Sequence, residues 1–209
     1  NAAQQIQDAK PVSQVQWKND LRSLFLNNKA VIYAMIPRTF NAKDIDGNGL
    51  IEGNEQSGTF LNAIEKLDSL KELGINTLHI LPIHPPGKTE AMGTAGSVYA
   101  PDDLLEIDPQ LADPRDPRPV KEQFKEFINE AHKRGIRVML DLPSCASVDF
   151  YNKHPELMAI DEQGIPEVPQ GWQDIRMFQP WADKDKKILN QALVDYHKKY
   201  IDMCIELGV

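Results

Sequence analysis

The segment from Asp44 to Glu55 combines carboxylates, amides and glycines at spacings that suit a metal site. It matches the pattern D-x-[DN]-x-[DN]-G-x5-E along its whole length. Calcium prefers about six to eight oxygen ligands, which alternate residues of a tight loop can supply. The side-chain and carbonyl oxygens would come from Asp44, Asp46, Asn48, Leu50 and either Glu52 or Glu55. The pattern therefore predicts a Ca²⁺-binding loop.

Two kinds of calcium module share this pattern but need further features. A paired EF-hand needs a helix before the loop, whereas the apolar run Ala30–Ile36 before it has the length of a strand. A dockerin-type module needs a second copy of the loop, and the sequence has none. An ordinary turn with solvated carboxylates is the alternative without a metal.

Three apolar runs of strand length alternate with three amphipathic segments. The runs are Ala30–Ile36, Asn76–Leu81 and Ile136–Leu142, and the amphipathic segments are Thr59–Leu73, Val120–Arg134 and Lys184–Leu207. Strands that are apolar throughout are typical of a parallel sheet buried on both faces. Long connections after strands and short ones after helices suit a (β/α)₈ barrel and equally a doubly wound sheet. The order predicts an α/β protein and leaves these two architectures open.

The remaining segments frame these units. Residues 1–29 are polar and are predicted to form an N-terminal extension with one short helix around Trp17 and Leu24. Residues 30–209 carry the strand–helix units, and residues 143–183 are predicted to be an irregular insertion. His79 lies inside the second run and is predicted to be a hydrogen-bonded residue of the sheet.

Composition excludes several classes of function. The net charge of −8, without a stripe of Lys or Arg, argues against nucleic acid as a partner. No apolar run approaches the roughly 20 residues that a membrane helix needs. Cys145 and Cys204 make neither a disulfide framework nor a CxxC zinc site. The sequence begins at Asn1 without a signal peptide, which favours a processed protein exported to the periplasm or the cell exterior.

The segments from Val31 to Val209 resemble glycoside hydrolase family 13, the α-amylase family. VIYAMIPRTF with DIDGNGLIEG is similar to that family's first strand and calcium loop, and LDSLKELGINTLHILPI to its first helix and second strand. GSVYAPDDLLEIDPQLAD is similar to its GSPYAVRDYYAIDPRLG-type segment, and EAHKRGIRVMLDL to its second helix and third strand. The resemblance implies the N-terminal portion of a (β/α)₈ TIM barrel, with about three β/α units and residues 143–183 as a short domain-B-like insertion.

The resemblance also implies roles for individual residues. The family cleaves α-glucosidic bonds with retention, using two carboxyl groups about 5–5.5 Å apart. Tyr99 matches the tyrosine that stacks on the sugar at the cleavage subsite. Asp141 matches the aspartate after the third strand, which supports the catalytic arginine. Glu52, rather than Glu55, would be the last calcium ligand, because the family's loop takes that ligand at its ninth position.

The sequence departs from the family after Asp141. Ser144 stands for an asparagine that is often a calcium ligand, and Cys145 stands for a substrate-contacting histidine. Glucan maltosyltransferases carry a similar Gln-Cys pair, and LDLPSCASVDFYNKHPEL followed by GWQDI is similar to their segment. The resemblance therefore keeps Cys145 as a substrate-binding residue and argues against ordinary starch hydrolysis.

The family's catalytic carboxylates would follow Gly208 and Val209, so we expect no catalytic residue in this chain and no activity from it alone. Three β/α units leave unpaired strand edges, which predicts self-association or a complementing C-terminal fragment. The resemblance implies an α-glucan or maltooligosaccharide as the ligand. The alternative function is a non-catalytic, calcium-stabilised module that binds carbohydrate or protein.

Overall fold

The three apolar runs form one parallel sheet. The computed structural model describes residues 21–209, and its first strands are β1 (Ile32–Met35), β2 (Thr77–Ile80) and β3 (Arg137–Leu140). They pair in parallel in the order β1-β2-β3. Each strand lies inside the apolar run that predicted it, so the three predictions are confirmed.

Helices connect these strands. Helix α1 (Leu21–Leu26) precedes β1, and the part of the predicted N-terminal helix around Trp17 lies outside the described residues. Between β1 and β2 lie α2 (Pro37–Phe40), α3 (Phe60–Ala63), a 3₁₀ turn (Ile64–Lys66) and α4 (Leu67–Glu72). The predicted helix Thr59–Leu73 is therefore interrupted by one tighter turn. Its start is fixed by a capping box, in which Thr59 and Asn62 each accept a hydrogen bond from the other's main-chain N–H.

Helix α5 (Val120–Lys133) follows a 3₁₀ turn (Pro109–Leu111) and leads into β3. The helix buries its apolar face, where Phe60 and Phe124 stack with ring centroids 4.3 Å apart. On the sheet, Leu78 and Ile80 are fully buried. Because side chains alternate along a strand, these two residues lie on one face and His79 on the other.

The prediction that the strands are buried on both faces is wrong for β1. Ile32 is 44% exposed and Tyr33 is 37% exposed. Strand β1 lies at one edge of the sheet, so within residues 21–209 it has a neighbouring strand on one side only. A strand in that position gains less cover than β2, which pairs on both sides.

The described chain divides into two compact units. The first comprises the described residues up to Leu81 together with Pro109–Asp141 and Cys204–Val209, and it contains the parallel sheet. The second comprises Pro82–Asp108 and Leu142–Met203.

The second unit is more regular than the sequence predicts. Strand β4 (Cys145–Ser147) pairs antiparallel with β5 (Ile175–Met177), and β6 (Trp181–Asp183) pairs antiparallel with β7 (Ile188–Leu189). Helix α6 (Val148–Lys153) follows β4, and a 3₁₀ turn (Pro155–Leu157) follows α6. The prediction that the stretch 143–183 is irregular is therefore wrong. Its strands are only three residues long, and so short a strand has too little periodicity to be recognised from the sequence.

Helix α7 (Gln191–Leu207) begins later than the predicted Lys184. Residues 188–189 pair with β6 instead of joining the helix, and Asn190 then caps it, accepting from the N–H of Val194 through its main-chain carbonyl. No helix in residues 21–209 has the length and apolar character that a membrane span needs.

Candidate functional site

The acidic loop, residues 44–55, is closed at its base by main-chain pairing. The N–H of Lys43 donates to the carbonyl of Gln56 at 2.7 Å, and the reverse bond measures 3.4 Å. Inside the loop, the Asp44 carboxylate accepts from the N–H of Gly47 at 2.7 Å and of Gly49 at 2.8 Å. Both glycines have positive φ, which a side chain disfavours, so the tight turn depends on them.

Three carboxylates of this loop converge. Oxygen atoms of Asp44, Asp46 and Glu55 lie within 4.8 Å of one another. Glu55 is fixed by the main-chain N–H groups of Ile45 at 2.6 Å and Glu52 at 3.1 Å. An all-oxygen set of this kind suits a hard cation such as Ca²⁺, so the residues present fit the predicted metal.

The other predicted ligands, Asn48, Leu50 and Glu52, lie in the same loop, and the Glu52 carboxylate lies outside this group of three carboxylates. The side-chain oxygen of Asn48 accepts from the N–H of Leu50 at 2.7 Å. A carboxylate oxygen of Glu52 lies 3.5 Å from the side-chain nitrogen of Asn48. The glutamate whose carboxylate lies close to Asp44 and Asp46 is thus Glu55, at the twelfth position of the loop. Glu52 as the last ligand stays a prediction.

Asp141 directly follows β3, at the carboxyl end of the parallel strands. Its N–H donates to the carbonyl of Ile80 at 3.1 Å, which continues the sheet by one residue. Its Oδ2 lies 3.6 Å from Nε2 of His79, and both side chains are partly exposed. This end of a parallel sheet is where barrel enzymes bind their substrates. The sequence predicts only a structural role for His79 within the sheet and does not indicate that it lies beside Asp141, since a lone histidine within an apolar run is usually structural.

Tyr99 and Cys145 meet in the second unit. Tyr99 is half-buried, and its N–H donates to the hydroxyl of Ser97 at 3.1 Å. Cys145, the first residue of β4, donates its thiol to the carbonyl of Tyr99 at 3.2 Å. The thiol contacts the main chain of the predicted sugar-stacking residue, and both predicted roles toward substrate stay predictions.

Cys145 aligns with the family's histidine only if one residue is missing from this chain between Asp141 and Cys145. In the family pattern D-x-x-x-N-H the histidine is the fifth residue after the aspartate, whereas Cys145 is the fourth after Asp141. The fifth is Ala146, which is fully buried in β4.

Comparison with known proteins identifies the family. The model of the family described as "Alpha amylase, catalytic domain" matches residues 34–189. Chloroplastic isoamylase 1 of Oryza sativa is 32% identical over 154 residues, which are 70% of this chain and 18% of the rice protein. The α-1,4-glucan:maltose-1-phosphate maltosyltransferase of Cereibacter sphaeroides is 29% identical over 140 residues, covering 59% of this chain and 18% of that protein. The chain thus spans less than a fifth of these relatives.

A crystal structure shows the same fold. The maltogenic α-amylase AmyB of Thermotoga neapolitana matches with a TM-score of 0.61 and 29% identity, over 85% of this chain and 36% of that one. The prediction of an incomplete (β/α)₈ barrel with about three β/α units is confirmed by this likeness. Because the family match covers more than half of its residues, the chain belongs to the α-amylase family, glycoside hydrolase family 13.

Proposed function

We propose that this chain contributes part of the glucan-binding region of a retaining α-glucan hydrolase or glucanotransferase. The observation that carries the proposal is the position of Asp141 directly after β3, at the substrate-binding end of the barrel strands. The names of the relatives, an isoamylase, a maltogenic amylase and a glucan maltosyltransferase, support an α-glucan as the substrate.

Individual residues take the roles that the family resemblance implies. Tyr99 stacks on a glucose ring, since aromatic rings offer sugars a flat apolar surface. Asp141 supports the family's catalytic arginine. Cys145 lines the same subsite as Tyr99, and the hydrogen bond from its thiol to the Tyr99 carbonyl supports this assignment.

The chain alone is expected to bind glucan without cleaving it. A glycosyl intermediate needs a nucleophilic carboxylate, and the resemblance assigns that residue to a position after Val209. Purified residues 1–209 should release no reducing sugar from maltoheptaose. Turnover that survives repurification would contradict this, whereas glucan binding separates the proposal from a module that binds only protein.

We also propose that the acidic loop binds Ca²⁺ and that the ion has a structural role. The convergence of Asp44, Asp46 and Glu55 within 4.8 Å supports the proposal. Carboxylates this close repel one another, and a divalent cation would offset that repulsion. The ion would thereby fix the connection between β1 and α3.

The test of glucan binding is calorimetric titration of the 209-residue chain with maltoheptaose. We expect saturable binding that Tyr99→Ala weakens by about tenfold, which corresponds to loss of one stacking contact. Tyr151→Ala, on helix α6, is the matched control and should bind as the wild type does. Equal affinity of wild type and Tyr99→Ala would contradict the role of Tyr99, and no binding at millimolar ligand would contradict the glucan-binding function.

The exposed edges of the sheet support self-association of the chain. Ile32 and Tyr33 are exposed on edge strand β1. Unpaired strand edges with apolar side chains pair readily with other chains. Light scattering should show oligomers that grow with concentration, and a constant monomeric mass would contradict this proposal.

A further inference from the structure

Residues 87–100, here called the Tyr99 loop, leave and return to the same point of the second unit. The N–H of Gly87 donates to the carbonyl of Ala100 at 2.8 Å. Pro86 and Pro101 flank this bond as an isolated antiparallel bridge. Compact surface loops with adjoining ends are frequently functional, and this one carries Tyr99 next to its closing bond.

Asp149 fixes the first half of the Tyr99 loop from outside it. The residue lies in the first turn of α6, about sixty positions further along the chain. Its Oδ2 accepts from the N–H of Lys88 at 2.6 Å and of Thr89 at 3.0 Å, and its Oδ1 accepts from the Thr89 hydroxyl. The hydrogen bond from the Thr89 hydroxyl is the main cause that lowers the pKa of Asp149, so the carboxylate is charged at neutral pH.

Two further contacts hold the same part of the loop. Arg176 in β5, whose side chain is 12% exposed, places Nη2 3.2 Å from a carboxylate oxygen of Glu90. Glu90 has a φ of 56°, in the left-handed region that non-glycine residues rarely adopt. At the start of the loop, a Cβ on Gly87 would lie 2.2 Å from the Cβ of Ser147, the N-cap of α6. The first four residues of the loop are therefore seated against α6 and β5.

We propose that Asp149 is a positioning residue: by anchoring the Tyr99 loop it holds Tyr99 where a glucose ring of an α-glucan stacks. Arg176 assists by holding Glu90, and the thiol of Cys145 holds the Tyr99 carbonyl at the other end. The inference rests on the function proposed above, since it takes Tyr99 as the stacking residue. It adds a residue that makes no contact with the sugar itself.

The test measures maltoheptaose affinity and amide hydrogen exchange of the 209-residue chain. Asp149→Asn replaces the charged acceptor of the loop N–H groups by a neutral amide oxygen, and we expect affinity to fall about fivefold because a carboxylate forms stronger hydrogen bonds than a neutral acceptor. Amides of residues 88–91 should exchange faster. Thr89→Val removes the hydroxyl from the loop side and should weaken binding in the same direction without touching α6. Because both substitutions act on the same contact between Asp149 and the loop, the affinity of the double variant should be no lower than that of Asp149→Asn alone.

Asp161→Asn is the matched control. Its carboxylate likewise accepts main-chain N–H groups, from Gln163 and Ile165, in another turn of the same unit. Wild-type affinity in Asp149→Asn and Thr89→Val, while Tyr99→Ala binds weakly, overturns the positioning role. An equal loss in Asp161→Asn, or losses that add in the double variant, overturns it as well. Wild-type affinity in Tyr99→Ala overturns the proposed function of Tyr99 itself, and the positioning role with it.

Discussion

The acidic loop and the Tyr99 loop both follow a strand of the parallel sheet. They differ in how far along the sequence their hydrogen-bond partners lie. In the acidic loop, Asp44 accepts from Gly47 and Gly49, and Glu55 accepts from Ile45. The Tyr99 loop depends on Asp149 and Arg176, which are far away in sequence. The first loop carries its own hydrogen-bond partners, so its shape depends on local sequence, whereas the second depends on the folding of its unit.

The largest expected effect is the calcium response of the acidic loop. At a calcium concentration of one hundred times Kd, binding adds about 2.7 kcal/mol to the free energy of unfolding, which raises Tm by roughly 5–10 °C. Asp46→Ala removes one of the three converging carboxylates and should abolish that rise in a thermal melt with and without chelator. Identical melting curves of the wild-type chain in both conditions would identify the loop as an ordinary turn.

The same melts decide which glutamate completes the site. The family resemblance predicts Glu52, at the ninth position, whereas the geometry gathers Glu55 with Asp44 and Asp46. If Glu52 is the ligand, Glu52→Gln should abolish the calcium-dependent rise and Glu55→Gln should leave most of it. The opposite result would show the resemblance to be wrong at this position and would assign the ligand to Glu55.

The difference between the two loops also explains what could be predicted from the sequence. The three parallel strands and the helices between them have a periodicity that the sequence itself displays, and the acidic loop has fixed spacings. The β4–β5 pairing and the contact of Asp149 with Thr89 join residues that are not neighbours in sequence. No local pattern marks such partners, so the sequence indicated Tyr99 but not the residue that anchors its loop.

The two loops should also differ in why they tolerate no side chain at a glycine, and in the Tyr99 loop the reason is steric. In Gly87→Ala the new Cβ would lie 2.2 Å from the Cβ of Ser147 and 2.6 Å from its hydroxyl oxygen. Overpacking of this kind costs about 2–3 kcal/mol, so the urea midpoint should fall clearly and residues 88–91 should exchange faster. A wild-type midpoint and unchanged exchange would mean that the loop can leave α6 without cost.

The acidic loop should respond to the equivalent substitution for another reason. A Cβ on Gly47 meets nothing within 4 Å, but its φ of 74° is strained for alanine. Gly47→Ala should therefore cost about 1–2 kcal/mol, the left-handed penalty. The cost should appear as weaker calcium binding in a titration followed by Tm, with maltoheptaose affinity unchanged. A fall in maltoheptaose affinity would contradict the independence of the two loops.

The smallest effect expected of a single residue is the sensitivity to mild acid that a buried histidine confers. His84 precedes the Tyr99 loop, is 2% exposed, bonds the carbonyl of Glu106 through Nδ1 and packs against the ring of Tyr200. Burial lowers its pKa to about 4, and burial also lowers the pKa of His132 in α5 to about 4. Both rings are therefore neutral in the folded chain at neutral pH.

A histidine with a lowered folded pKa favours the native state above its unfolded pKa of 6.5, and this contribution is lost as the pH falls from 6.5 toward 4. Between pH 7 and pH 5.5, His84 should remove on the order of 1 kcal/mol from the free energy of unfolding. Urea unfolding at the two pH values measures the loss, and His84→Gln should reduce it to the part due to His132 and His197, whose pKa values burial also lowers. Asp149 has a lowered pKa, so the stability that its carboxylate contributes is lost only below this pH window. A wild-type pH response in His84→Gln would mean that His84, which precedes the Tyr99 loop, does not cause the acid sensitivity.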